Sequence, residues 1–101
     1  MNGELRLAIE ERIKGMLIAE LMVSPELLAT STSSTPLLGR GIGLDSMETL
    51  TLVAAIEKEF AIQIADEDLT VNLFASIATV AEYVLQERAK QRSGSTGGVS
   101  T

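Results

Sequence analysis

Asp45 and Ser46 stand side by side where helical periodicity begins, after Gly41-Ile42-Gly43-Leu44 and before Met47-Glu48. A serine there offers its hydroxyl beside backbone N–H groups that have no intrahelical acceptor, at the positive end of a helix dipole. Two roles suit it. Asp45 as N-cap, with Glu48 three residues on, makes a capping box and a purely structural helix start. Alternatively, the hydroxyl carries a covalently attached phosphate group, which the helix N-terminus favours. A Ser-His-Asp hydrolase is excluded, because the chain has no histidine. Asp and Ser open helices in proteins of every kind, so the local pattern alone favours the cap.

Composition narrows the chemistry further. The 101 residues include no cysteine, so there is no disulfide, no thiolate nucleophile and no thiolate zinc site. Aromatics are 3% against a hydrophobic total of 46%, a balance that predicts packed helices rather than a sheet. The net charge of −6 argues against nucleic acid as a partner. No apolar run is long enough to span a membrane, and Glu4, Glu10 and Glu11 are unlike a signal peptide. A soluble, cytoplasmic monomer is expected. The charge is localised: from Asp45 to Asp68, seven acids face one base, Lys58, and elsewhere seven acids and seven bases cancel. Asp66-Glu67-Asp68 lacks the spacing of a calcium loop, and no metal site is expected.

The elements that hold Asp45 and Ser46 follow from periodicity. Leu5, Ile9, Ile13, Met16, Leu17 and Leu21 predict an amphipathic helix over about residues 3 to 22, with Glu4, Glu10, Glu11, Arg12, Lys14 and Glu20 largely outward. Gly15 inside it costs about 1 kcal/mol against alanine, with no reason visible in the sequence. Ser24-Pro25 opens a short helical turn. A long loop then runs to Leu44, pinned to the core by Leu37, Leu38, Ile42 and Leu44. From Asp45 the second helix buries Leu50, Val53, Ile56 and Phe60, with Leu52 on the margin, and turns Met47, Thr51, Ala54, Ala55 and Lys58 outward. A brief third helix is expected from Asp66 to about Asn72, and a fourth, capped by Ser76, buries Ile77, Val80, Ala81, Val84 and Leu85. The expected fold is all-α: a small four-helix bundle, three helices long and one short, over residues 3–90. Residues 91–101 are expected to be a flexible polar tail.

Gly43-Leu44-Asp45-Ser46-Met47 resembles the G-x-D-S-[LM] element of the acyl carrier protein family. Glu57-Lys58-Glu59-Phe60, Ile62-Gln63-Ile64, Asp66-Glu67-Asp68 and Phe74-Ala75-Ser76-Ile77 with Thr79-Val80 follow in the family's order. The resemblance covers roughly residues 4 to 90. It implies that Ser46, with Asp45 beside it, is the attachment site of 4′-phosphopantetheine, transferred from coenzyme A by a separate phosphopantetheinyl transferase using Mg²⁺. Acyl groups would ride as thioesters on the arm's thiol, and the carrier itself would catalyse nothing. Partners would be acyl-transferring, condensing and reducing enzymes with basic docking patches, meeting Met47, Glu48, Thr51, Glu57 and Glu59. An acyl chain folding back would meet Leu50, Val53, Ile56, Phe60, Ile64 and Ile77.

Some positions depart from housekeeping fatty-acid carriers: Thr51 stands where they typically have glutamate, Lys58 interrupts an acidic run, and Ala61 and Gln63 are neutral. Phe74-Ala75-Ser76-Ile77 is closer to carriers of polyketide and specialised lipid pathways. Peptidyl carriers usually have Gly-Gly-His-Ser at the motif, unlike this chain. The other class of reading is an unmodified helical interaction module docking through its acidic helix.

Overall fold

A computed structural model describes residues 2–39 and 41–97, with side chains described for 3–39 and 41–90. Four helices carry it: α1 (Asn2–Leu21), α2 (Pro25–Thr30), α3 (Ser46–Phe60) and α4 (Ile77–Gly97). Among the described residues there is no strand, only an isolated parallel bridge between Leu38 and Leu44. The expected all-α bundle of three long helices and one short is what forms.

The short helix is α2, at the Ser24-Pro25 turn. Ser24 caps it by accepting from the Leu27 N–H at 3.4 Å, with Pro25 in the first turn. The brief helix expected at Asp66 to Asn72 is instead a 3-10 turn over Asp66–Asp68, followed by a second over Leu73–Ala75. Leu69 has φ −80° and ψ 75°, outside the helical region, so the hydrogen-bond ladder stops there. Turning at Leu69 lets its side chain pack on the core.

Helix α1 lies against both α3 and α4. It buries Ile9, Ile13, Met16 and Leu17, while Leu5, expected in the same stripe, is 55% exposed near the free end. Glu10, expected outside, is buried at 2%. It shares a face with Ile13 and Leu17, three and seven residues on, and the loop supplies the partner that makes burial tolerable. α1 ends at Met22 in the left-handed region, where the Val23 N–H closes back on the Leu17 carbonyl at 3.0 Å.

α4 starts at a reciprocal cap: Ser76 Oγ accepts from the Thr79 N–H at 3.2 Å, and Thr79 Oγ1 accepts from the Ser76 N–H at 3.0 Å. Ile77, Val80, Ala81 and Val84 are buried as expected. The backbone of α4 continues to Gly97, into the stretch read as a tail, and residues 98–101 lie outside the described residues. The core between the helices is closed by Phe60 at the end of α3 and by Ile62, Ile64, Leu73 and Phe74 from the links. Each fully buried aliphatic side chain in it contributes about 1.5–3 kcal/mol.

Candidate functional site

The loop from Ser31 to Leu44 leads to the start of α3. It is not slack: Leu37 is fully buried, and Ile42 and Leu44 are nearly so. Asp45 follows in extended backbone as the N-cap. Its Oδ1 accepts from the Glu48 N–H at 2.8 Å, while Glu48 Oε1 accepts from the Asp45 N–H at 3.1 Å. This capping box is the one read in the sequence, and such caps contribute about 0.5–2 kcal/mol.

The box leaves Ser46 conspicuously unused. Its side chain is exposed and makes no hydrogen bond among the described residues. The N–H groups of Ser46 and Met47 also find no acceptor among those residues. The site therefore offers a free hydroxyl, two free amides and the positive end of a four-turn helix, an arrangement suited to a phosphoester. The box takes up one oxygen of each neighbouring carboxylate, Asp45 Oδ1 and Glu48 Oε1, and neither carboxylate bonds the hydroxyl.

Along α3 the side chains divide sharply. Met47 is 74% exposed, and Thr51 is exposed with its hydroxyl donating to the Met47 carbonyl at 3.2 Å. Leu50 is 57% exposed and does not join the core; Leu52 takes its place, fully buried with Val53, Ile56 and Phe60. The two leucines lie on opposite edges of the buried stripe. α1 packs against α3, the edge bearing Leu52 is buried, and the edge bearing Leu50 is left open. Ile64 and Ile77 are buried in the same core as Val53, Ile56 and Phe60, so five of the six candidate cavity residues come together.

The acidic side chains are mostly engaged within the chain. Glu57 is half-buried and its Oε2 accepts from the Ile64 N–H at 2.8 Å, bracing the link after α3. Glu59 pairs with Arg12 of α1, whose guanidinium also lies 5.9 Å from the Phe60 ring centroid. Asp68 accepts from the Tyr83 hydroxyl at 2.8 Å, and burial together with that bond pushes the phenol up to about 12. Only Asp66 and Glu67 of the acidic window have side chains without a partner among the described residues. These bonds use one oxygen each of Glu57 and Glu59, so the carboxylates still contribute to the negative field over α3 while their positions are fixed by contacts within the chain.

Periodicity missed the polar anchor beneath the loop. Ser33 donates its hydroxyl to Glu10 Oε1 at 2.6 Å, and its carbonyl accepts from the Ala78 N–H at 3.0 Å. Ser33 thus ties α1 to the first turn of α4. Arg6 Nε lies 3.2 Å from the other Glu10 oxygen, off the hydrogen-bond line, and its Nη1 lies 3.4 Å from Glu82. A serine-threonine run carries no marker for which hydroxyl is buried. A family model described as "Phosphopantetheine attachment site" matches residues 11–84. No solved structure matches the chain.

Proposed function

Since the chain belongs to the phosphopantetheine attachment site family, and so is a non-catalytic carrier of covalent 4′-phosphopantetheine, we propose that Ser46 is the residue that bears the arm. The observation that carries this is the exposed, unbonded Ser46 hydroxyl in the first turn of α3, beside two free amides. In the transfer, Ser46 Oγ bonds to the phosphorus of the pantetheine phosphate, the pyrophosphate bond of coenzyme A breaks with adenosine 3′,5′-bisphosphate leaving on the bridging oxygen, and the hydroxyl proton goes to a base on the transferase. When bound, the arm supplies the thiol that a chain without cysteine lacks, and acyl groups travel on it as thioesters.

The chain's own part is to hold and present. The capping box holds the backbone around Ser46 through Asp45 and Glu48. Met47, Leu50 and Thr51 present an uncharged outer strip directly along α3 from the attachment point, within the negative field of the acidic window. We assign the partners as a phosphopantetheinyl transferase and acyl-transferring, condensing and reducing enzymes of fatty-acid or related specialised acyl and polyketide pathways. The neutral strip supports the specialised side of that range. Intact mass tests the reading: with coenzyme A, Mg²⁺ and a phosphopantetheinyl transferase, wild type gains one phosphopantetheine mass and Ser46→Ala gains none. No gain in wild type across several transferases, or a gain in Ser46→Ala, overturns it.

A further inference from the structure

Residues 36–39 and 41–44 form the two arms of a clasp. The Ile42 N–H donates to the Pro36 carbonyl at 2.7 Å, and the Leu44 N–H donates to the Leu37 carbonyl at 2.9 Å. Leu38 and Leu44 form the parallel bridge. Gly41 sits where the two arms cross. A Cβ built there falls 1.8 Å from the Pro36 carbonyl oxygen and 2.7 Å from its carbon, backbone atoms that cannot swing aside. Only glycine lets the arms close, and the closed clasp buries Leu37, Ile42 and Leu44. Its far side is held by Ser33 on Glu10 and Ala78, and its near side runs into Asp45 and Ser46. Gly39 provides a built-in contrast: it has φ 65° but nothing within 4 Å of a Cβ, so a side chain there strains the turn without prying the arms apart.

We infer that this clasp is a platform that aims Ser46, and that Gly41 is a positioning residue for transfer of the phosphopantetheine group to it. The inference rests on Ser46 being the attachment site. In-line attack at phosphorus needs the hydroxyl placed closely, and a displacement on the order of 1 Å can cost about a hundredfold. The capping box holds Asp45 and Glu48 on either side of Ser46, and N-terminal to the box the chain is held by the clasp through the Leu44 N–H on the Leu37 carbonyl and the burial of Leu44. Among the described residues no hydrogen bond joins the exposed strip of Met47, Leu50 and Thr51 to the clasp, so opening the clasp is expected to disturb the attacking oxygen more than the docking face.

Steady-state transfer from coenzyme A tests this with wild type, Gly41→Ala, Gly39→Ala and a variant with one extra glycine between residues 39 and 40. Hydrogen exchange of the Ile42 and Leu44 amides reports the clasp, and circular dichroism reports the helices. Opening by Gly41→Ala or by the insertion lowers kcat about tenfold or more with KM changed less than about threefold, while Gly39→Ala stays within about threefold of wild type. The insertion keeps the test alive if Gly41→Ala fails to fold, because surface loops tolerate added residues well. Unprotected Ile42 and Leu44 amides in wild type, an open clasp with unchanged kcat, or a loss confined to KM overturns the inference. Wild type that accepts no phosphopantetheine overturns the assignment of Ser46 instead, so the two failures are distinct.

Discussion

Removing the Ser33 hydroxyl probes Glu10, the one buried carboxylate among the described residues. Glu10 is 2% exposed, and its compensation comes from Ser33 Oγ at 2.6 Å and Arg6 Nε at 3.2 Å. Arg6 Nε is buried beside Glu10 but off the hydrogen-bond line, so it attracts the carboxylate without hydrogen-bonding it. The Ser33 hydroxyl therefore supplies the hydrogen bond that the Glu10 side chain receives among the described residues, and hydrogen bonds to charged groups contribute about 1.5–3 kcal/mol. Ser33→Ala keeps the carbonyl bond to Ala78 and is expected to cost about 2 kcal/mol. For a domain of this size that is a fall of roughly 10 °C in Tm. Equilibrium urea unfolding followed by circular dichroism is the assay, with a lower midpoint and an unchanged slope. If the cost is that of a buried carboxylate left underpaired, Glu10→Met in the Ser33→Ala background regains at least about 1 kcal/mol. A loss under about 0.5 kcal/mol for Ser33→Ala, or no recovery in the double variant, refutes the reasoning.

Other perturbations follow from the same geometry. Leu52→Ala is expected to cost about 2–5 kcal/mol and Leu50→Ala within about 0.5 kcal/mol, read from urea midpoints; equal effects would contradict the orientation of α3. Ala61 ends α3 at φ 55°, so Ala61→Gly should stabilise by about 0.5–1 kcal/mol, net of the freer unfolded chain, and a loss would show that its methyl group is needed. Tyr83 has its phenol raised from 10.0 to about 12, chiefly by burial and next by its bond to Asp68. The folded state holds that proton when the unfolded chain has released it, so the contribution of Tyr83 to stability is constant below pH 10 and is lost as pH rises from 10 toward 12. Tyr83→Phe should lose about 1 kcal/mol below that window and show a shallower decline across it in urea midpoints.

Local features were readable because their causes are local. The capping box at Asp45 and Glu48, the Ser24-Pro25 start of α2 and the Ser76 start of α4 each need only a few neighbouring residues to satisfy free backbone groups. The apolar spacing of α1 and α4 likewise located most of their buried faces. Leu50 and Leu52 were different. Both are leucines near the edge of one stripe, and hydrophobicity alone cannot say which edge a neighbouring helix covers. Glu10 failed for a related reason: a glutamate is read as outward until a donor is known to meet it, and that donor lies 23 residues away. Glu57 and Glu59 looked like free docking charges, yet one braces the Ile64 amide and the other pairs with Arg12.

The sequence by itself determined the class of molecule. An aliphatic helical pattern predicts the bundle, the Asp-Ser pair marks the start of a helix, and the ordered resemblance that begins at Gly43-Leu44-Asp45-Ser46-Met47 points to the carrier class. Tertiary structure decided what surrounds that serine: a strip of Met47, Leu50 and Thr51 left open, carboxylates tied inward, and a loop closed around Gly41. Those outcomes depend on which surfaces meet after the chain has folded. Burial and hydrogen bonding at each depend on partners far along the chain, information that local spacing does not carry.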